Sequence, residues 1–369
     1  MLRSTLICCV VVSLVWAASA NAGAETGLKK GSPDLKSIGP LAFGPDGILF
    51  IGDPLGATIF AFDTSDTLGD PSSVELNIND VDAQIAGMLG TTRKEVLIND
   101  LAVNPVSGNA YLSVSRGRGP KAAPVLFRIN KTGKLSEVSL KDVPFAQASL
   151  SNAPEDKVTE RRGRKRNKRL ESITDMAFID GRLFIAGLSN EEFASKLRSI
   201  SFPFTEADPG TSVEIFHGAH GRFETKSPVR TFVPLDIVGD THLVAAYTCT
   251  PLVKFPISRL VPGTKLQGTT VAELGNHNNP LDMIVYTKDD KEFLLMANSK
   301  RGVMKISTDK IERADGITEK ISDTAGQVYE TITSLNGVVQ LDRLNSDNAL
   351  VLVRSETDGA HSLQTIALP

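Results

Sequence analysis

The chain has 369 residues, 41% of them hydrophobic, with 40 Lys and Arg against 43 Asp and Glu and a formal net charge of −3. A balance this close to neutral argues against nucleic acid or an anionic membrane as the main partner. At this length core packing alone can hold one large domain or two small ones.

The first 22 residues read as a secretory signal peptide. Arg3 gives a short basic region, LICCVVVSLVWAA supplies the apolar stretch, and ASANAGA offers small-residue cleavage sites. The apolar stretch is short for a membrane span, and no second one of spanning length follows. The expectation is a soluble chain, secreted or periplasmic, with residues 23–369 as a single domain. Of three cysteines, Cys8 and Cys9 lie in the apolar stretch, so the mature chain keeps only Cys249 and cannot form an internal disulfide.

From residue 40 onward one layout recurs: an apolar strand, a Gly/Asp/Asn turn, a second apolar strand, a polar loop and a third strand. PLAFGPDGILFIGDPLGATIFAFD is the first copy, and the second begins DLAVNPVSGNAYLSVSRG at Asp100. Strand starts near residues 41, 101, 176, 236, 283 and 343 are spaced 60, 75, 60, 47 and 60 apart. Each interval holds a four-stranded antiparallel meander, and such units closed around an axis make a β-propeller. The fold class is therefore all-β, with six blades. A seventh would have to hide in the long interval before Asp175, and residues near 28–38 are expected to close the ring. Helix is expected only near Asp80–Leu89 and Glu191–Leu197. Between residues 152 and 171 lies a charged run with seven Lys and Arg from Arg161 to Arg169, read as a solvated loop between blades or else an anion-binding segment.

In a propeller the start of each innermost strand and the end of the next strand share one face. The repeat alignment puts Asp100, Asp175, Asp236, Asp282 and Asp342 at the first position. Asp53, Ser115, Gly187, Tyr247, Asn298 and Arg354 fall at the second. A ring of like charges needs compensation by a cation, basic side chains or backbone N–H groups. Oxygen ligands of this kind suit calcium, and Asn99, Asn298 and Asp53 could complete its coordination. The alternative is that each Asp bonds backbone amides of a neighbouring connection.

This layout resembles the six-bladed propeller superfamily that includes NHL-repeat proteins, the gluconolactonase group and the paraoxonases. INDLAV is similar to the Asn-Asp strand start by which paraoxonase-like proteins hold calcium in the channel. The resemblance implies a calcium role for Asn99 and Asp100, and more loosely for Asp175 and Asp282. Gly39 and Pro40 stand where the gluconolactonase group carries an acidic residue.

A second cluster is expected on the same face. Four of five histidines fall between residues 217 and 277. His217, His220, His277 and Cys249 belong to upper loops, whereas His242 belongs to the opposite face. Imidazoles with one thiol suit a transition metal, or a thiolate nucleophile with a His base. His220, His277 and Cys249 are thus the candidate catalytic groups. Three readings stay open: a module binding a small molecule or protein at the Asp face, a calcium-dependent lactonase or esterase, and a Cys/His metal site with a redox role. Architecture alone does not choose among them.

Overall fold

The structure, a computed structural model, describes residues 27–369 except 162, 206 and 314. The signal-peptide reading lies outside the described residues. Among them, no helix is long and apolar enough to cross a membrane.

Six small antiparallel sheets form a six-bladed β-propeller. Blade 1 is built on Leu41–Phe43, Ile48–Asp53 and Thr58–Asp63. Blade 2 follows with Val96–Val103, Ala110–Arg116, Ala123–Ile129 and Leu135–Val138. The innermost strands of blades 3 to 6 are Asp175–Ile179, Val229–Ile237, Pro280–Lys288 and Val338–Arg343. Many strands are near-continuous apolar runs, so successive side chains on opposite sheet faces are both buried against neighbouring blades. Six apolar cores result, one per junction, and they give the blade order around the axis. Leu49 packs with Tyr111 between blades 1 and 2, and Phe50 with Ile185 between blades 1 and 3. Leu112 packs with Leu350 between blades 2 and 6. The remaining cores join 3 to 4, 4 to 5 and 5 to 6.

The ring order is therefore 1–3–4–5–6–2, and blades 1 and 2 are exchanged relative to chain order. After blade 1 the chain reaches the far side of blade 2, where Asn77–Ile78 pairs with Leu363–Gln364 as the outer strand of blade 6. It then forms the α-helix Val81–Met88 and blade 2, and returns to add Val143–Ser149 to the outer edge of blade 1. Two expectations change. Ring closure comes from residues 77–78, because Lys29–Gly31 pairs with Val143–Phe145 outside blade 1. Among the described residues, the long interval before Asp175 holds no seventh blade. Its strands are the edge of blade 1 and a separate hairpin, Val158–Arg161 with Arg164–Asn167.

The helix near Asp80–Leu89 is present as Val81–Met88. Helix at Glu191–Leu197 is not: Ser195–Ser201 is the third strand of blade 3, paired with Arg182–Leu188. Leu197 and Ile200 stand three apart, a helical spacing, but the continuous register from Arg182↔Ser201 to Leu188↔Ser195 overrides it. Gly187 in that sheet carries no side chain because a Cβ there would lie 2.0 Å from the Ser172 carbonyl oxygen. This close approach sets the entry to the blade 3 inner strand, where Thr174 N donates to Ala186 O at 2.8 Å.

Candidate functional site

Each innermost strand of blades 2, 4, 5 and 6 enters through a β-bulge, after Ile98, Val229, Pro280 and Val338. The bulge re-aims the next residue into the channel. The ring position is therefore Pro40, Asp100, Asp175, Thr231, Asp282 and Gln340 in blades 1 to 6. Asp100, Asp175 and Asp282 stand where the repeat alignment puts them. Asp342 sits two residues deeper on the same channel face, and Asp236 leaves the ring. It occupies the hairpin at the opposite end of blade 4, exposed, where its Oδ1 accepts from Gly239 N at 2.7 Å. Asp236→Asn keeps that acceptor, so unfolding midpoints of variant and wild type are expected to agree within about 0.5 kcal/mol.

The four channel carboxylates make the same pair of bonds. One oxygen accepts from the next N–H of its own strand: Leu101 N to Asp100, Met176 N to Asp175, Met283 N to Asp282, and Arg343 N to Asp342, at 2.7–2.9 Å. The other accepts from the innermost strand of the adjoining blade. Asp100 takes Leu41 N, Asp175 takes Phe232 N, and Asp342 takes Val103 N, each at 2.7 Å, while Asp282 takes Leu341 N at 2.8 Å. Each Asp thus staples its blade to the next. The two junctions without a staple, 1–3 and 4–5, are those where Pro40 and Thr231 hold the position. Backbone N–H groups supply the compensation that the ring of charge requires.

Burial still works against ionisation. Protein surrounds each carboxylate except where the channel admits solvent. Burial, opposed by the paired N–H bonds, pushes Asp175 up to about 7 and Asp342 up to about 6. Burial first, then repulsion within the group, also holds Asp100 and Asp282 well above the usual carboxylate range. With its Nε2 turned inward, the Gln340 amide donates to Asp100 Oδ1 at 3.1 Å and Asp282 Oδ2 at 2.8 Å.

Above these carboxylates the channel widens into a cavity of about 600 Å³. Its floor includes Asp100, Asp175, Asp282 and Gln340, and its walls carry Ile38, Pro54, Leu55, Leu97, Ile173 and Leu281. One side is formed by the separate hairpin, with Val158, Asn167 and Leu170 facing the cavity. Among the described residues of the basic run only Asn167 lines the cavity, while Lys165, Arg166 and Lys168 are exposed as in a solvated loop. Arg166 bonds Glu171, which also meets Arg230 at 3.2 Å. Gln340, Thr231 and this hairpin escaped the sequence reading, since neither amide nor hydroxyl stood out in the repeat.

Each of the remaining oxygen-ligand candidates makes local bonds, and of the three only Asn99 lines the cavity. Asp53 is buried and accepts from Lys36 N, Ser37 N, Ser37 Oγ and Gly56 N at 2.6–2.9 Å. Asn298 Oδ1 accepts from Asn278 Nδ2 at 2.8 Å, and Asn99 Nδ2 donates to Ser115 Oγ at 2.9 Å. Away from the cavity, on the rim of blades 3 and 4, one donor atom each from His217, His220 and Cys249 lies within 4.8 Å of the others. His277 is exposed and outside that group.

No family model matches the chain, and no curated protein matches it. Similar solved structures include an oxidoreductase (glucose dehydrogenase) of Thermus thermophilus, 14% identical, covering 92% of this chain and 100% of that one with a TM-score of 0.36. A second is the PQQ-bound aldose sugar dehydrogenase of Streptomyces coelicolor, 10% identical, with 92% and 96% covered and a TM-score of 0.33. A third is the extracellular region of plexin A4, 8% identical, with 92% and 46% covered and a TM-score of 0.40.

Proposed function

We propose that this chain, exported as its N-terminus suggests, binds a small organic molecule in the cavity at the mouth of the propeller channel. The observation that carries the reading is the pairing of apolar walls with a floor of Asp100, Asp175 and Asp282 in a space of about 600 Å³. That volume lies in the range of small-molecule sites, where a few polar groups fix the orientation of a mostly apolar ligand. Carboxylates whose oxygens already accept two backbone N–H groups keep lone pairs on the channel side. The ligand they suit presents ammonium or hydroxyl donors downward and apolar flanks to Leu97 and Leu281. Binding should be read calorimetrically against a panel of primary amines and polyols, with Asp175→Asn and Leu97→Trp beside the wild type. Loss of binding by at least tenfold in both variants is expected. A ligand that binds all three proteins equally would place the site elsewhere and sink the reading.

A second reading is calcium at the same floor, serving an ester or lactone hydrolase of the paraoxonase-like kind. It is favoured by the gathering of the Asp100, Asp175 and Asp282 carboxylates on one floor, close enough that their mutual repulsion adds to burial in holding Asp100 and Asp282 well above the usual carboxylate range. In that arrangement calcium would polarise the substrate carbonyl. Calcium-dependent hydrolysis of simple esters that disappears in Asp282→Asn supports it. No turnover at saturating calcium removes it.

A further inference from the structure

The rim cluster of blades 3 and 4 lies outside the channel cavity and has its own geometry. His217 ends the fourth strand of blade 3, Thr211–His217, and His220 follows in the turn to Arg222–Glu224. The two imidazole rings lie 3.9 Å apart at a 39° tilt. A single carboxylate engages both. Glu224 Oε2 meets His217 Nδ1 at 3.2 Å, and Oε1 meets His220 Nδ1 at 2.7 Å. Ser227 Oγ donates to Glu224 Oε2 at 2.6 Å and fixes the carboxylate in turn.

With Nδ1 of each ring taken, Nε2 is the nitrogen each has left to give. His217 is only 3% exposed, and among the described residues its Nε2 has no hydrogen-bond partner. A buried acceptor without a partner costs about 1–3 kcal/mol and calls for an explanation. The third member comes from the next blade. Cys249 stands in the loop after Asp240–Tyr247 with φ of 65°, and Thr250 follows at 59°. Two successive non-glycine residues in the left-handed region are unfavourable. They are held by Cys249 N to Asn278 O, Thr250 N to Tyr247 O and Thr250 Oγ1 to Gly275 O, each 2.8 Å.

We propose that His217, His220 and Cys249 form a binding site for one borderline or soft transition-metal ion, zinc or copper. Two imidazoles and a thiolate select such ions over calcium or magnesium, which take oxygen ligands. Glu224 is the positioning residue. A carboxylate on the far nitrogen of a ligating imidazole fixes its tautomer and raises its basicity, and here one carboxylate does so for two rings. Three protein ligands leave a coordination position open, and the half-exposed His220 places it toward solvent. The site bridges two blades, so its ion would also tie blade 3 to blade 4.

The test is titration of untagged, metal-free mature protein with cobalt(II), under a reductant that does not bind metal. One cobalt per chain is expected, with a thiolate-to-cobalt charge-transfer band. Bleaching of that band by added zinc, or its replacement by a copper–thiolate band, tells which ion the site prefers. Cys249→Ser should abolish the band. His220→Ala, at an exposed ring that the fold does not need, should lower affinity at least tenfold. Glu224→Gln should lower it by ten- to a hundredfold while keeping the band, which a merely structural glutamate would not do. No thiolate band in folded wild type, or binding unchanged in Cys249→Ser and His220→Ala, would overturn the proposal.

Discussion

Asp282→Ala is expected to cost about 2–4 kcal/mol of folding stability, measured as a shift in the urea midpoint at constant slope. The substitution removes both acceptors of one staple, leaving Met283 N and Leu341 N without partners in the joint between blades 5 and 6. Each orphaned buried N–H costs about 1–3 kcal/mol, and release of the repulsion from Asp100 gives part of that back. Asp282→Asn should cost less, because one amide oxygen can still accept while Nδ2 faces the other donor. The order expected is alanine worst, asparagine intermediate, and Asp236→Asn near zero. A propeller holds its ring by side-by-side packing, so a lesion at one junction should loosen the circle as a whole. The same ordering is expected for Asp100, whose staple joins blades 2 and 1 across the point where chain order and ring order differ. If Asp282→Ala unfolds within about 0.5 kcal/mol of wild type, the staples are incidental.

The fold was legible in the sequence because short apolar runs and turn residues recur, and innermost strands at Leu41 and Asp175 begin within a residue of where the repeat puts them. Blade 4 was not. Its inner strand runs nine residues, Val229–Ile237, with a bulge after Val229, so LDIVGD imitates a strand start while belonging to the strand end. That is how Asp236 entered the predicted ring in place of Thr231. The exchanged order of blades 1 and 2 was illegible, because strand spacing along a chain does not say which sheet a strand joins. Two residues, Asn77 and Ile78, decide it by pairing with Leu363 and Gln364. The recurrence of Asp was visible, but its partners are backbone N–H groups that every sequence carries, so staple and cation ligand read alike. For the rim, the clustering of His217, His220 and Cys249 was visible, whereas Glu224 took on meaning only once both Nδ1 atoms were seen to converge on it.

Stability is expected to fall as pH rises from about 4 to about 7, by on the order of 2 kcal/mol, and then to level off. Asp175 is pushed up to about 7 and Asp342 up to about 6, burial being the largest cause in each. The unfolded chain releases these protons near pH 3.9. Between the two values the native state binds more protons than the unfolded state, so the slope of stability against pH is negative. The contribution is fully present below the unfolded value and is lost as pH passes the folded one. A shift of this size would set a ceiling near ~4 kcal/mol for Asp175, and solvent entering from the cavity reduces it. Urea unfolding at pH 5 and pH 8 at constant ionic strength measures the difference, and the same pair of measurements on Asp175→Asn subtracts what the imidazoles contribute. Asp175→Asn should flatten the slope, since a neutral amide has nothing to titrate. Calcium acts in the opposite sense. It binds only the ionised carboxylates, so a real calcium site would restore stability at pH 8 by about 2.7 kcal/mol at a hundredfold excess over its dissociation constant, and leave pH 5 little changed. A pH 8 midpoint indifferent to calcium and chelator would remove the cation and leave the organic ligand as the reading of the channel mouth. Stability that stays level between pH 5 and pH 8 without calcium would mean that the paired N–H bonds outweigh burial and that the floor is anionic throughout.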